Sequence, residues 1–410
     1  MAKPRQERLA TLSKRTRIGR SAAVNHFMAA ADRREQRGIA SFLKQNIWPW
    51  IASYLKFAFT PRHRFMDYTG SSKTGRYIAA PTGGQKAVRV ALAGDWATGT
   101  AEAESIAKLM NAASPDFTIH LGDVYYVGDE PEIRENCLGE DTRQFEGVQW
   151  PHGTRGSFAL NGNHEMYANG GPYFELFLKT LGMAGDAEGQ RASFFCLDVG
   201  TWRIVGLDTG YNSVGWPILS MIPGLNSISF IGGDSHLESA LIEWLRNVVD
   251  PEREAKATLL LSHHQYFSAF ERSYTKPAQQ LRKIFGDQEV VWLWGHEHRL
   301  GIYDRFSKDD GLTVYGRCIG HGGMPIEIKA PDPSKAPLLL YDTRSHRLPN
   351  GATVGENGYV LASIEGPALT LEYRDIATNL LLVERFESAA SGKLTYTLVD
   401  RGTILEQPSD

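Results

Sequence analysis

Residues 87–126 read AVRVALAGDWATGTAEAESIAKLMNAASPDFTIHLGDVYY, and their pattern decides the fold class. Ala87 to Ala93 is a short apolar run, Ala101 to Ala113 carries helical periodicity, and Phe117 to Leu121 is apolar again. Short apolar runs bounded by turn residues read as buried strands, so the stretch is a βαβ unit. A crossover helix between two strands makes them parallel neighbours in one sheet. Both runs end alike, in Gly94-Asp95 and Gly122-Asp123.

The same ending recurs further along. Strand-like runs are expected at Ser157 to Leu160, Ser193 to Val199, Trp202 to Leu207, Ala257 to Leu261, Glu289 to Trp294 and Leu312 to Ile319, with a long helix at Ser235 to Val249. Three of these runs close in Gly162-Asn163-His164-Glu165, Ser262-His263-His264 and Gly295-His296-Glu297-His298. In open α/β sheets ligands gather beyond the carboxyl ends of the strands, so five such endings are expected to converge. A glycine before the polar residue lets the chain turn off its strand and bring the next side chain back over the sheet edge. Carboxylate, amide and imidazole are donors suited to Zn, Fe or Mn in a catalytic site. Singly, each ending is a common turn; together they are not accounted for by turns.

Composition bounds the rest. The chain has 410 residues, 42% hydrophobic and 22% charged, which excludes disorder for the bulk of it and allows a sizeable core. Cys137, Cys196 and Cys318 are too few and too scattered for a disulfide framework or a cysteine zinc site. Met1 to Met66 holds fourteen Lys or Arg against Glu7, Asp32 and Glu35, a local net charge of +11, so with -3 for the whole chain the remainder carries -14. That segment reads either as a surface for anionic partners or as a solvated helical extension. Residues 39–60 are aromatic-rich, but Lys44, Lys56 and Pro49 interrupt any run of the ~20 apolar residues a spanning helix needs. No secretory or twin-arginine export signal is read, so a cytoplasmic location is expected, with peripheral attachment to a membrane or self-association through the N-terminus as further expectations.

Three regions are expected: a basic, partly amphipathic extension and linker over 1–80, with Tyr68 to Gln85 as the linker; a core over 81–345; and antiparallel strands over 346–410 that complete or extend it. The last rest on the alternating runs Tyr359 to Ile364, Ala368 to Tyr373, Leu381 to Phe386 and Leu394 to Leu398.

From about Val88 to Met324 the five endings, in this order, resemble the calcineurin-like metallophosphoesterase superfamily, and in detail its purple-acid-phosphatase-like branch. The superfamily's first motif is Asp-x-His, whereas this chain has Asp95-Trp96-Ala97. In the purple branch that histidine is also missing, and a tyrosine three residues after the second aspartate replaces it, here Tyr126. The resemblance implies an α/β fold, a four-layer α-β-β-α sandwich, and two metal ions. Asp95, Tyr126 and His298 would hold the first and Asn163, His263 and His296 the second, with Asp123 bridging. Fe(III) is expected at the first site and Fe, Zn or Mn at the second. His263 is preferred to His264 because the family's ligand follows an apolar strand by one short step; His264 either faces substrate or packs. His164 is implied as a non-ligand donor to the phosphate, oriented by a nearby polar group, and His321 either joins the outer shell or is structural.

The implied activity is hydrolysis of a small phosphate ester, monoester, diester or triester, by a metal-bridging hydroxide attacking phosphorus in line. Two other readings stand beside it: a scaffold of the same fold acting through its basic N-terminus, and a nuclease. A full ligand set argues against the first and the absence of a nucleic-acid module against the second. Substrate choice is expected in the loops Asp208 to Asp234 and Arg317 to Pro325, with Trp96, Tyr211 and Trp216 either walling a pocket or packing.

Overall fold

The structure, a computed structural model, describes residues 55–57, 60–141, 147–214, 235–347, 353–389 and 393–408. Most of the basic extension, and most of the Asp208 to Asp234 loop with Trp216, lie outside the described residues. In chain order the strands are β1 Arg76–Ile78, β2 Val88–Ala93, β3 Phe117–His120, β4 Gly156–Ala159, β5 Gly182–Met183 and β6 Phe195–Val199. Next come β7 Trp202–Gly206, β8 Ala257–Ser262, β9 Glu289–Trp294, β10 Leu300–Phe306, β11 Thr313–Ile319 and β12 Leu338–Tyr341. A two-stranded ribbon of β13 Ser345–Arg347 and β14 Thr353–Gly355 precedes β15 Gly358–Glu365, β16 Ala368–Asp375, β17 Leu380–Ser388 and β18 Leu394–Asp400.

Sixteen of these strands form two sheets, ordered β1-β6-β7-β8-β9-β11-β10-β12 and β18-β17-β16-β15-β2-β3-β4-β5. Strands β2, β3 and β4 run parallel, as do β7, β8, β9 and β11. Their carboxyl ends therefore gather at one edge of each sheet.

The side-chain period of two on each strand sorts the core into three layers. Val88, Val90 and Leu92 of β2 and Ile119 of β3 face Leu197, Ile204, Leu259 and Leu261 of the other sheet, and fill the space between the sheets. Ala91 and Ala93 point the other way, where their small side chains let Ile106 and Met110 of the helix Ala101–Ala112 pack closely. On the outer face of the first sheet, Val205, Leu260 and Trp292 meet Leu241 and Leu245 of the helical segment Ser239–Val249 and Leu281 and Phe285 of the helix Thr275–Phe285. Helices outside, two sheets inside: the expected four-layer α-β-β-α sandwich is the architecture. The helix Ala101–Ala112 begins where Thr100 accepts from the backbone N–H of Ala103, with Glu102 and Glu104 in its first turn, both favourable at a positive helix end.

The C-terminal strands widen the second sheet, since β15 pairs antiparallel with β2. They are tied to the opposite sheet by Arg317 of β11, whose guanidinium donates to both oxygens of Glu384 on β17 at 2.7 and 2.6 Å, with both side chains fully buried.

The stretch read as a linker, Tyr68 to Gln85, joins the core through Tyr68, β1 and Ala79, while residues 80–85 are exposed. Tyr68 is buried and donates to the Phe194 carbonyl at 2.7 Å, and β1 pairs parallel with β6. Its polar composition misled because β1 is a three-residue edge strand held by charge: Arg76 donates to Asp198 at 2.5 Å and to Glu254.

Candidate metal centre

The turns after β2, β3 and β9 share a backbone feature. Asp95, Asp123 and His296 adopt left-handed conformations with φ of 57°, 73° and 67°. Non-glycine residues reach that region at a cost and cluster at functional sites. So the polar residue itself turns in each case, joined after β3 by Gly122 at φ 99°, and two other glycines serve a different purpose. A Cβ on Gly162 would sit 2.1 Å from Asp123 Oδ1, and one on Gly295 would sit 2.7 Å from Asp95 Oδ2. Here glycine permits close approach.

Asp95 and Asp123 face each other through a tyrosine. The hydroxyl of Tyr125 donates to Asp95 Oδ1 at 2.7 Å and lies 3.2 Å from Asp123 Oδ2 and 3.0 Å from His298 Nε2. The sequence points to Tyr126, and the phenol that the structure brings against the two aspartates is that of Tyr125. The reason is the loop's anchoring. The Glu132 carboxylate, at the start of the helix Glu130–Asn136, accepts from the backbone N–H groups of Tyr126, Val127 and Gly128 at 2.5, 2.8 and 2.8 Å, while the Tyr126 carbonyl accepts from His164. With the Tyr126 backbone held on both sides, the neighbouring residue presents the phenol.

Around Asp123 the other expected residues assemble. His263 Nε2 lies 3.2 Å from Asp123 Oδ2 and 3.2 Å from Asn163 Oδ1, and its Nδ1 donates to the Leu121 carbonyl, which fixes the ring. The Asn163 amide donates to the Tyr167 hydroxyl at 3.0 Å, which turns its oxygen inward. Candidate donor atoms of Asp95, Asp123 and His263 all lie within 4.8 Å of one another, and so do those of His263, His264 and His296. His264 is thus part of the cluster, held by Thr209 Oγ1 at its backbone N–H and Nδ1. The Tyr274 hydroxyl is 3.4 Å from His296 Nε2, and His298 Nε2 is 3.6 Å from Asp95 Oδ1.

His164 stands beside this group. Its Nδ1 donates to the Tyr126 carbonyl at 2.6 Å, its backbone N–H donates to Asp123 Oδ1 at 3.0 Å, and its Nε2 is 3.7 Å from Asp123 Oδ2. A carbonyl can only accept, so the Nδ1 proton is fixed and Nε2 is turned towards the cluster.

The electrostatics fit a cation. Burial pushes Asp95 up to about 7, helped by the Asp123 charge and opposed by His263. Burial likewise pushes Glu165 up to about 8 and Glu297 up to about 7. Asp123 alone is held well below the usual carboxylate range, because His263 and His164 outweigh its burial. His298 falls to about 3 through burial, and His264 and His296 fall well below the usual value through burial and neighbouring imidazoles. The neutral imidazoles of His264, His296 and His298 beside dry carboxyls are a donor set that metal ions satisfy, while His263 goes the other way, its burial outweighed by the Asp123 and Asp95 charges, which lift it to about 9.

His321 is elsewhere. It is fully buried behind Asn357 and Gly358, and a Cβ on Gly358 would meet its Nε2 at 2.7 Å. Of the expected pocket walls, Trp96 is fully buried and donates to the Ala103 carbonyl, while Tyr211 donates to the His63 carbonyl; both pack. Tyr167, Thr209 and Tyr274 were not read from the sequence, and nothing in their local pattern sets them apart from packed residues.

Residues 88–300 match the family model of the calcineurin-like phosphoesterases. That is just over half of the 410 residues, and it contains every residue of the cluster described above. No curated protein matches the chain's sequence. Among solved structures, the chain is similar to the purple acid phosphatase PPD1 from yellow lupin (Lupinus luteus) seeds, with 15% identity and a TM-score of 0.44 over 79% of this chain and 59% of that one. It is also similar to PhoD, with 12% identity and a TM-score of 0.48 over 79% and 73%. A third is GAP50 of Plasmodium, the anchor in the inner membrane complex, with 11% identity and a TM-score of 0.45 over 75% and 91%. The chain spans less than two thirds of the lupin protein's length.

Proposed function

The chain belongs to the calcineurin-like phosphoesterase family, and from that premise we propose that it hydrolyses phosphate esters at a centre holding two metal ions. The observation that carries this reading is the convergence, from four strand ends, of two donor groups that share His263, Asp95-Asp123-His263 and His263-His264-His296, each with its donor atoms within 4.8 Å of one another. Asp95, His298 and the Tyr125 phenol would hold one ion and Asn163, His263 and His296 the other, with Asp123 placed between the two sets. A phenolate with two carboxylates favours Fe(III) at the first position, and amide with two imidazoles suits Fe, Zn or Mn at the second. When bound, such a pair supplies Lewis acidity towards the phosphoryl oxygens and an activated water at neutral pH.

The chain's own residues then have defined tasks. The Leu121 carbonyl and the Tyr167 hydroxyl hold His263 and Asn163 with their donor atoms inward, so little reorganisation accompanies binding. His164, with Nδ1 committed to the Tyr126 carbonyl, carries any further proton on Nε2 and hands it to a phosphoryl or leaving-group oxygen. Burial lowers the pKa of this ring and the Asp123 charge opposes that only in part, so the ring rests neutral and gives up an added proton readily.

The test is metal analysis of the purified protein together with hydrolysis of p-nitrophenyl phosphate, bis-p-nitrophenyl phosphate and a triester. Two equivalents of metal and chelator-sensitive turnover are expected. Metal-loaded protein that turns over none of the three overturns the reading.

A further inference from the structure

Beside the candidate centre lies a cleft of about 660 Å³ whose charge differs from the rest of the body. Arg272, Lys308, Lys329 and Lys335 line it against Glu271 and Asp309, a net formal charge of +2. Residues 67–410 as a whole carry -14. A positive cleft in a negative body is a local focus for anions, because low-dielectric walls concentrate the field.

Packed side chains link one wall of the cleft to the centre. The segment Phe270 to Thr275 forms one wall. The Arg272 guanidinium lies 4.3 Å from the centre of the Tyr274 ring, and that ring stands 4.8 Å from His264. The Tyr274 hydroxyl reaches His296 Nε2 at 3.4 Å. One aromatic residue therefore separates a cationic wall from the proposed metal donors. Arg299 braces the wall from beneath, with its guanidinium 4.2 Å from the centre of the Phe270 ring and 3.9 Å from Glu271.

The three lysines line the cleft with donor capacity remaining. Lys308 Nζ is 3.1 Å from Ser273 Oγ, Lys329 Nζ pairs with Glu271 at 2.8 Å, and Lys335 Nζ is 3.9 Å from Asp332. Lys329 and Lys335 are each nearly half exposed. Each ammonium has three donor directions, so one acidic neighbour leaves room for a phosphate or carboxylate oxygen.

We propose that this cleft binds a second anionic group on the leaving-group side of the substrate, so that the preferred esters are those whose leaving group itself carries a phosphate. The proposal rests on the phosphoesterase reading and adds the substrate class. A phosphoryl group at the metal donors and a second phosphate on Arg272, Lys308, Lys329 and Lys335 would span Tyr274.

The experiment compares fructose 1,6-bisphosphate with p-nitrophenyl phosphate on metal-loaded full-length protein and on the Lys329→Glu/Lys335→Glu double variant. Both positions lie outside the metal-donor cluster, and their exposure makes the reversal compatible with folding. The expected result is a fall in kcat/KM of about tenfold or more for the bisphosphate, carried by KM and weakened by added salt, with p-nitrophenyl phosphate changed less than about twofold. An equal fall on both substrates, or no fall on either, overturns the cleft's role while leaving the phosphoesterase reading intact. No turnover of either substrate by the unmodified protein overturns both.

Discussion

The Tyr125 hydroxyl donates to Asp95 Oδ1 at 2.7 Å while lying 3.0 Å from His298 Nε2, so one phenol joins the first and last of the strand-end turns that form the centre. Burial and the two aspartates raise that phenol well above its usual pKa, so only a strong cation would draw off its proton. Protein loaded with iron and oxidised is therefore expected to show a visible phenolate-to-iron band that Tyr125→Phe abolishes and Tyr126→Phe leaves in place. Absorption spectra of the three proteins decide it, and a band lost only in Tyr126→Phe reverses the assignment.

His164→Ala is expected to lower kcat by about 10²- to 10⁴-fold while both metal equivalents remain bound, since the side chain is placed as a proton donor rather than as a ligand. Metal content by elemental analysis, set beside kcat, checks it. Loss of metal in parallel with activity would make His164 a ligand.

Asn163→Ala and His296→Ala remove proposed donors at strand ends rather than packing atoms. Hydrolysis should fall by orders of magnitude, with a circular dichroism spectrum and melting temperature close to those of the unmodified apoprotein. Near-normal rates at saturating metal would remove these residues from the donor set.

Arg317 and Glu384 form a fully buried ion pair between the sheets. Removing one partner strands the other's charge, so Arg317→Met should destabilise by about 3–5 kcal/mol, whereas Arg317→Met combined with Glu384→Leu should recover most of that loss. Denaturant unfolding of the single and double variants measures the difference. Equal destabilisation in both would mean that packing, not charge, holds the C-terminal strands.

Arg76 holds the Glu254 carboxyl down to about 2. A folded pKa below the unfolded value of about 4.5 stabilises above the higher figure, and the contribution is lost as pH falls from about 4.5 to about 2. Glu254→Gln should therefore lower the melting temperature at pH 7 and have a much smaller effect near pH 2. A difference that persists undiminished at pH 2 would assign the effect to packing instead.

The strand runs, the helix Ala101–Ala112 and the strand-end positions of Asp95, Asp123, Asn163, His263 and His296 could be read without coordinates, because each is a local pattern. An apolar run is buried on both faces of a sheet, and the polar residue that follows must sit at its edge. Three other features were not legible. Strand β1 is short and polar, with its stability supplied by Asp198 and Glu254 far along the chain. Strands β10 and β12 lie together at one end of their sheet, where only hydrogen bonds to neighbours define them. Tyr167, Thr209 and Tyr274 enter the centre from loops, with no periodic signal.

The sequence by itself determined that a parallel-stranded α/β core presents carboxylate, amide and imidazole donors at its strand ends, because hydrophobic period and glycine-polar steps are properties of neighbouring residues. Only the tertiary structure decided which phenol, that of Tyr125 or that of Tyr126, lies against Asp95. Counting from Asp123 pointed to Tyr126, but the direction of a side chain on an irregular loop depends on which backbone groups are held. Here Glu132 takes the Tyr126 N–H and His164 takes its carbonyl, and these contacts across the fold turn the Tyr125 phenol onto Asp95.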